Sequence, residues 1–396
     1  MIERILAGLR VLDLTQSVAG PYCSQVLGDM GAEVFKVERP GSGDDSRAWR
    51  SPEPGSVSPH FVALNRNKRS ICVDLGTDAG NDVVARLAAG CDIFLHSMKP
   101  ASAAARGFGY EQLAAANPRL VYCAISAYGD NGPLKDLPGY DPAMQAFTGL
   151  MSLCGNAGDE PSRVPVSIID IATGLWAALG IVGACMERQL SGKGAHVQVS
   201  LLETSLGWMN ALITAHAITG KPPARIGTAL ANAAPYELFR ASDGHVLIAA
   251  ANDRLFAGTC AALQLTELAA RAEFASNALR LQNRAELHRL LEERTAQLGM
   301  AQVVDRLRSH GVPCSEMNTL PQALAHPQVR ASGMLGEWAG GDVPAPLVEM
   351  PLRIDGARSK ARAAPPVLGA DTSDVLASFG FAPDAVAQLR AAKVVA

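Results

Sequence analysis

The chain has no CxxC pair and no cluster of cysteine and histidine at metal-ligand spacing. That removes the usual zinc frameworks, and no metal is expected. No GxGxxG follows the first apolar segment, which continues DLTQSVAGP, so a dinucleotide fingerprint is missing. No GxSxG and no Ser/His/Asp ordering is recognisable, and the eight histidines are dispersed. Basic runs are absent and the formal net charge is −3, which leaves no electrostatic case for nucleic acid. Aromatic residues make up only 5%, so a core has to come from Ala, Leu, Val and Ile. The start, MIERILAGLRVLDL, lacks a signal peptide's basic end, apolar centre and cleavage site. The longest apolar stretch, 168–186, contains Asp170, Thr173 and three glycines. It reads as a strand end plus a buried helix, not a membrane span. A cytoplasmic protein without a membrane partner is the expectation.

What is present is a large apolar fraction, 48% of 396 residues. That length suggests two domains, each able to bury a core. Eight scattered cysteines, such as Cys123 in LVYCAIS, read as buried free thiols in a reducing compartment. Apolar segments at 9–15, 32–39, 70–75, 91–97 and 119–126 read as strands. Helical segments at 19–31 and 79–90 alternate with them. This is the pattern of a parallel α/β sheet with both faces covered. A long helix after Asp170, a strand at 196–201 and a helix at 203–218 follow. A hairpin is predicted over 236–251, with helices around 254–272 and 284–309 and a linker over 311–327. The expected architecture is a Rossmann-like large domain, 1–200 with 330–396, and a small α+β domain, 225–325. Linkers fall at 201–224 and 326–329, and the C-terminal helix is expected back on the large domain.

The candidate site residues are each open to a plain structural reading. Asp170, in SIIDIATG, stands between two apolar stretches. By position it is a helix N-cap. As a poorly solvated carboxylate it is also a capable nucleophile, kept ionised by the helix N-terminus. Gln16, Ser17, Val18 and Ala19 follow the first strand, where open α/β sheets bind ligands; the alternative is an ordinary tight turn. Arg39, Lys68 and Arg69 sit at strand ends, suited to phosphate or simply to solvent. Arg47 and Trp49 share a loop that either holds a substrate carboxylate or makes a surface ion pair with Asp44 or Asp45. Tyr140 and Asp141 precede a helix, as a packing residue and a cap.

Five ordered blocks resemble the class III CoA-transferases, the family of formyl-CoA:oxalate and carnitine CoA-transferases. They are LRVLDLTQSVAGPYCSQVLGDMGAEVFKVERPGSGDDSR, NRNKRSICVDL, YGDNGPLKDLPGYDPAMQAFTGLM, DIATG with ERQLSGKGAHVQVSLLE, and PPVLGADT. GSGDD and GYD look most like the branch acting on dicarboxylates, such as succinyl-CoA-dependent glutarate enzymes. The resemblance implies an interlocked homodimer that uses coenzyme A as co-substrate, with an acyl-CoA and a carboxylic acid as partners. It puts Asp170 at the position of the catalytic aspartate, passing through aspartyl anhydride and aspartyl-CoA intermediates. It maps CoA contacts to Gln16, Ser17, Val18, Ala19, Arg39, Val73, Ser97, Met98 and Arg106. Acid selectivity is expected from Arg47, Trp49, Tyr140 and Asp141, and from the 249–256 loop. The related α-methylacyl-CoA racemases carry His where this chain has Tyr140, a poor base at neutral pH, so that branch ranks second. A non-catalytic CoA-binding protein ranks third.

Overall fold

The computed structural model describes residues 1–50, 58–336 and 347–396. The described chain divides into two compact units. The first comprises 1–150, 164–218 and 332–396; the second comprises 151–163 and 219–331. Residues 201–218, expected as linker, thus count with the first unit, and 151–163, expected in the large domain, count with the second.

The first unit is built on six parallel strands: β1 (Arg10–Leu14), β2 (Glu33–Glu38), β3 (Lys68–Cys72), β4 (Ile93–His96), β5 (Val121–Ser126) and β6 (Ala195–Ser200). Their order is β3-β2-β1-β4-β5-β6, so the chain reverses direction across the sheet between β1 and β4. Open α/β sheets bind ligands at such a switch point, beyond the carboxyl ends of the strands. The strands read as continuous apolar runs because both faces are covered. Alternate side chains enter opposite cores. Val11, Val34 and Ile93 pack with the Asp170 helix on one side, while Leu12, Phe35 and Phe94 pack on the other.

The Ile168–Ser191 helix is long and apolar enough to cross a bilayer by length and composition, yet half of that window is buried inside the unit. It packs along the first helix, Ala19–Asp29. The Thr372–Ser378 helix returns to β3, and the last helix, Pro383–Ala391, packs against it. Asp371 Oδ2 accepts from Ser70 N–H at 2.9 Å, and Thr372 Oγ1 accepts from Cys72 N–H at 3.1 Å. Six of the eight cysteines are buried and the other two, Cys154 and Cys314, are half-buried; all are free.

The second unit holds an antiparallel sheet of β7 (Tyr236–Ala241), β8 (Gly244–Ala249) and β9 (Cys314–Glu316). The hairpin matches its expected place. The third strand was expected as linker, because a segment of three residues is too short for a period-2 signal. The helices expected at 254–272 and 284–309 are each broken, into Asp253–Ala262 with Thr266–Ala270 and Arg284–Thr295 with Met300–Ser309. Its core is pinned by Arg280, fully buried against the Phe256 ring at 4.5 Å. Arg280 donates to Ala234 O, Phe274 O and Asp253 Oδ1.

Candidate active site

A cleft of about 320 Å³ opens at the carboxyl ends of β1, β4 and β5. Its wall contains Asp170, the Gln16–Ala19 loop, the Ser97–Met98 pair and Tyr140. Four separate stretches of sequence therefore converge, each delivered by a strand end or a helix start.

Two glycines allow the approach. A Cβ on Gly174 would lie 2.3 Å from Ala19 O, so glycine there lets the Asp170 helix seat on the first helix. A Cβ on Gly20 would lie 2.2 Å from the Thr15 side chain. Together they draw the Gln16–Ala19 turn and the first turn of the Asp170 helix into one wall.

Asp170 is the third residue of its helix, not the cap. Ser167 occupies the cap position without a side-chain bond. The capping carboxylate comes from Asp141, at the start of the short Asp141–Phe147 helix. Asp141 Oδ2 accepts from Ile169 N–H at 2.7 Å and from Asp170 N–H at 3.3 Å. Its Oδ1 accepts from Gln145 Nε2 at 2.6 Å. The cap read into each Asp from its own helix is thus made across helices, from the shorter to the longer. Burial, and then the Asp141 charge, push the Asp170 carboxyl up to about 7. The helix N-terminus, expected to hold Asp170 ionised, is opposed by burial and by a like charge, both of which favour the protonated form.

The Gln16–Ala19 turn rests on a buried ionic layer. Ser17 adopts a φ of 70°, a conformation that costs a non-glycine residue about 1 kcal/mol or more. It is held there by its N–H donating to Asp44 Oδ1 at 3.0 Å. Lys36 Nζ, without exposure, donates to Thr15 O at 2.9 Å. It also pairs with Asp44 Oδ2 at 2.7 Å. Burial alone would lower the Lys36 pKa, but Asp13, Asp44 and Glu38 outweigh it and raise it. Lys68, expected to meet phosphate or solvent, is instead fully buried. It donates to Pro21 O and Asn65 Oδ1, both at 2.8 Å. Burial first, and Lys36 against Asp13, bring it down to about 7.

On the opposite side, His96 Nδ1 accepts from Met98 N–H at 3.1 Å. That bond leaves the proton on Nε2. Burial, and next His196, depress His96 to about 4, so the neutral ring holds the Met98 backbone in place.

The remaining expected residues spread around this cleft. Tyr140, expected as half-buried packing, is 57% exposed at the rim. Arg39 lies beside the cleft, paired with Asp45 and donating to Gly43 O and to Gln16 Oε1. Arg106 ends the Pro100–Ala105 helix and is half-buried. Like Arg39, Arg106 and the capping Asp141, three further expected residues lie off the cleft lining. Val73 is fully buried in the core beneath β3 and pairs with Val395. Arg47 makes a two-pronged pair with Glu38 at 2.7 Å and lies over the Phe61 ring at 3.6 Å. The surface pair with Asp44 or Asp45 is therefore not made. Trp49 stacks edge-on against His60.

Lys99, Lys135 and Ser126 also line the cleft, and sequence reading passed over them. The signal available was position: Lys99 comes after Ser97 and Met98 at the β4 end, and Lys135 sits in the YGDNGPLKDLPG loop after β5. A larger hollow of about 860 Å³ lies elsewhere in the same unit, lined by Arg353, Arg358 and Arg362. Those guanidiniums are tied to backbone carbonyls of Ser332, Met350 and Gly28.

Known proteins carry the same organisation. Human succinyl-CoA:glutarate CoA-transferase is 35% identical over 94% of this chain and 85% of its own length. The succinate–glutarate CoA-transferase of Agrobacterium fabrum is 33% identical, over 94% and 95% of the two chains. A CAIB/BAIF family protein from Brucella suis superimposes with a TM-score of 0.84 at 37% identity, covering 94% of this chain and 99% of the other. The family model for CoA-transferase family III matches residues 6–372. With that span and these relatives, the chain belongs to CoA-transferase family III.

Proposed function

We propose that the protein moves coenzyme A from succinyl-CoA to a second dicarboxylic acid, with Asp170 as the covalent carrier. The observation that carries the reading is Asp170 itself: a buried carboxylate in the wall of the switch-point cleft. Glutarate and D-citramalate are acids named for relatives of this chain, and both have two carboxylates.

In the first step an Asp170 oxygen attacks the thioester carbonyl. A mixed anhydride forms and CoA leaves as thiolate. The thiolate then attacks the aspartyl carbonyl of the anhydride, giving an aspartyl-CoA thioester and free succinate. The acceptor carboxylate repeats both steps in reverse, regenerating the Asp170 carboxylate and releasing the new acyl-CoA. No proton is consumed over the cycle. Weak solvation makes the carboxylate a stronger nucleophile, and excluding water spares the anhydride from hydrolysis. Backbone N–H groups of the Gln16–Ala19 turn are the candidates for stabilising the oxyanions. CoA is read along Gln16–Ala19 and Ser97–Met98, with Arg39, Arg106, Lys99 and Lys135 as cations for its phosphates. Tyr140 at the rim is read as facing the acid.

A homodimer belongs to the same reading. Leu175, Trp176, Leu179, Met186 and Leu190 on the Asp170 helix are each more than half exposed, an apolar face suited to a second copy. The test is to incubate the protein with succinyl-CoA without acceptor, trap with hydroxylamine and map the modified residue by mass spectrometry. Modification at Asp170, with CoA transfer to glutarate once acceptor is added, supports the reading. An unmodified Asp170, or an Asp170→Ala variant that retains transfer, overturns it.

A further inference from the structure

We infer that Asp141 is a positioning residue for the reaction: its carboxylate caps the helix that carries Asp170 and, by its charge, sets the pH at which Asp170 becomes a nucleophile. The inference rests on the reading of Asp170 as the carrier.

The geometry is unusual for a helix cap. A cap is ordinarily supplied by the residue just before the helix, yet Ser167 makes no such bond. Asp141, 28 and 29 residues away along the chain, accepts from the Ile169 and Asp170 N–H groups. Those donors, and the positive end of the helix, are what would otherwise steady the Asp170 anion. Asp141 occupies them with a charge of the same sign as the nucleophile. The arrangement is rigid. Asp141 is 1% exposed and Gln145 is fully buried. Gln145 Nε2 donates to Asp141, while Gln145 Oε1 accepts from Val164 N–H at 2.9 Å. Gln145 thereby ties Asp141 to the segment leading into the Asp170 helix. Thr173 Oγ1, one turn along, is bonded to Ile169 O at 2.8 Å, so it offers Asp170 no compensating donor.

The other ionisable groups around that helix come from the elements packed on it and from the helix itself. The first helix presents Tyr22 and Cys23, with Asp29 paired to Arg66, and β5 presents Cys123; Tyr122 and His196 face the opposite core. The Leu201–Trp208 helix presents Glu203, and the Asp170 helix itself carries Cys185, Glu187 and Arg188 towards its far end. In the cleft Asp170 shares the wall with Asp45, Lys99, Lys135 and Tyr140. Of all these groups and Asp141, Asp141 is the charge that bears on Asp170, after burial. A nucleophile left short of donors and facing a like charge is a more reactive anion, available only at higher pH.

The test compares the wild-type protein with Asp141→Asn, which keeps a capping oxygen without the charge. The rate of covalent modification of Asp170 by succinyl-CoA, in the absence of acceptor, is followed from pH 5 to 9. The acid limb is expected near pH 7 in the wild-type protein and about one unit lower in the variant. At pH 6 the variant then runs at about half its own plateau, where the wild type runs at about a tenth. Its plateau rate falls, because the anion is better stabilised. Asp141→Ser, a second neutral cap, shifts the limb the same way and serves if the Asn variant does not fold. Asp141→Glu, which keeps the charge, leaves the limb near its wild-type position. A folded neutral variant with an unmoved limb overturns the inference while leaving Asp170 as the carrier. If the wild-type protein shows no modification of Asp170 at any pH, the inference falls together with the proposed function.

Discussion

The contact at Gly174 makes a demanding test of how the site is built. Replacing Gly174 with Ala puts a methyl 2.3 Å from Ala19 O and 3.2 Å from Cys23 N. The first of these is about 1.1 Å short of an ordinary contact near 3.4 Å. Neither side yields easily, because both atoms are backbone in packed helices. The helices must therefore part by about an ångström near their starts. Overpacking of this kind costs about 1–3 kcal/mol. Replacing glycine inside a helix returns about 1 kcal/mol of backbone propensity, so the net loss of stability is about 0–2 kcal/mol. Activity responds differently. Ala19 lines the cleft, and Asp170 is one helical turn before Gly174. A displacement of about 1 Å between nucleophile and bound thioester costs on the order of a hundredfold in rate. Gly174→Ala should therefore melt within several degrees of the wild-type protein and lose most of its transfer from succinyl-CoA. Differential scanning calorimetry and a steady-state assay at saturating succinyl-CoA read the two effects separately. A variant that retains more than half of wild-type kcat would refute the claim that this close approach positions the site.

Two further outcomes follow from the buried charges. Asp170 has a folded pKa raised from about 3.8 to about 7, so between those values the native state binds a proton that the unfolded chain has released. Stability then falls as pH rises through that window, by up to about 4 kcal/mol above pH 7. Asp170→Asn should abolish transfer yet raise the melting temperature, more at pH 8 than at pH 5; an equal gain at both pH values would contradict the sign. In the second unit, Arg280→Ala leaves the Ala234 and Phe274 carbonyls without their donor and opens a void beneath Phe256. It should destabilise that unit by roughly 3 kcal/mol or more, read as a lowered urea midpoint, and a midpoint unchanged from wild type would remove Arg280 from the core's support.

The sheet, its helices and the return of the C-terminal helix were legible because they follow from local pattern. Mostly apolar runs such as Val11–Leu14, interrupted by Asp13, and Ile93–Leu95 are what two-sided burial demands, and a helix such as Asp78–Ala89 carries its own start and stop residues, Thr77 and Gly90. Asp170 was legible as a polar interruption of an apolar stretch, and ordered motifs raised it above its neighbours. Contacts across the sequence were not legible. Lys68 read as a cation for phosphate or solvent and Arg47 as one for a substrate carboxylate or a surface pair, since nothing in NRNKRS or GSGDDSR records that Asp13 and Glu38 wait for them in space. The two caps were read within their own helices because capping is ordinarily local; only the packing of the two helix starts lets Asp141 serve the longer one. The chain by itself determined the layers and singled out Asp170 as the candidate carboxylate; the strand order, and with it the switch point, came with the fold. The tertiary structure decided that carboxylate's ionisation, because burial and a facing charge act through distance, and distance is set by the fold.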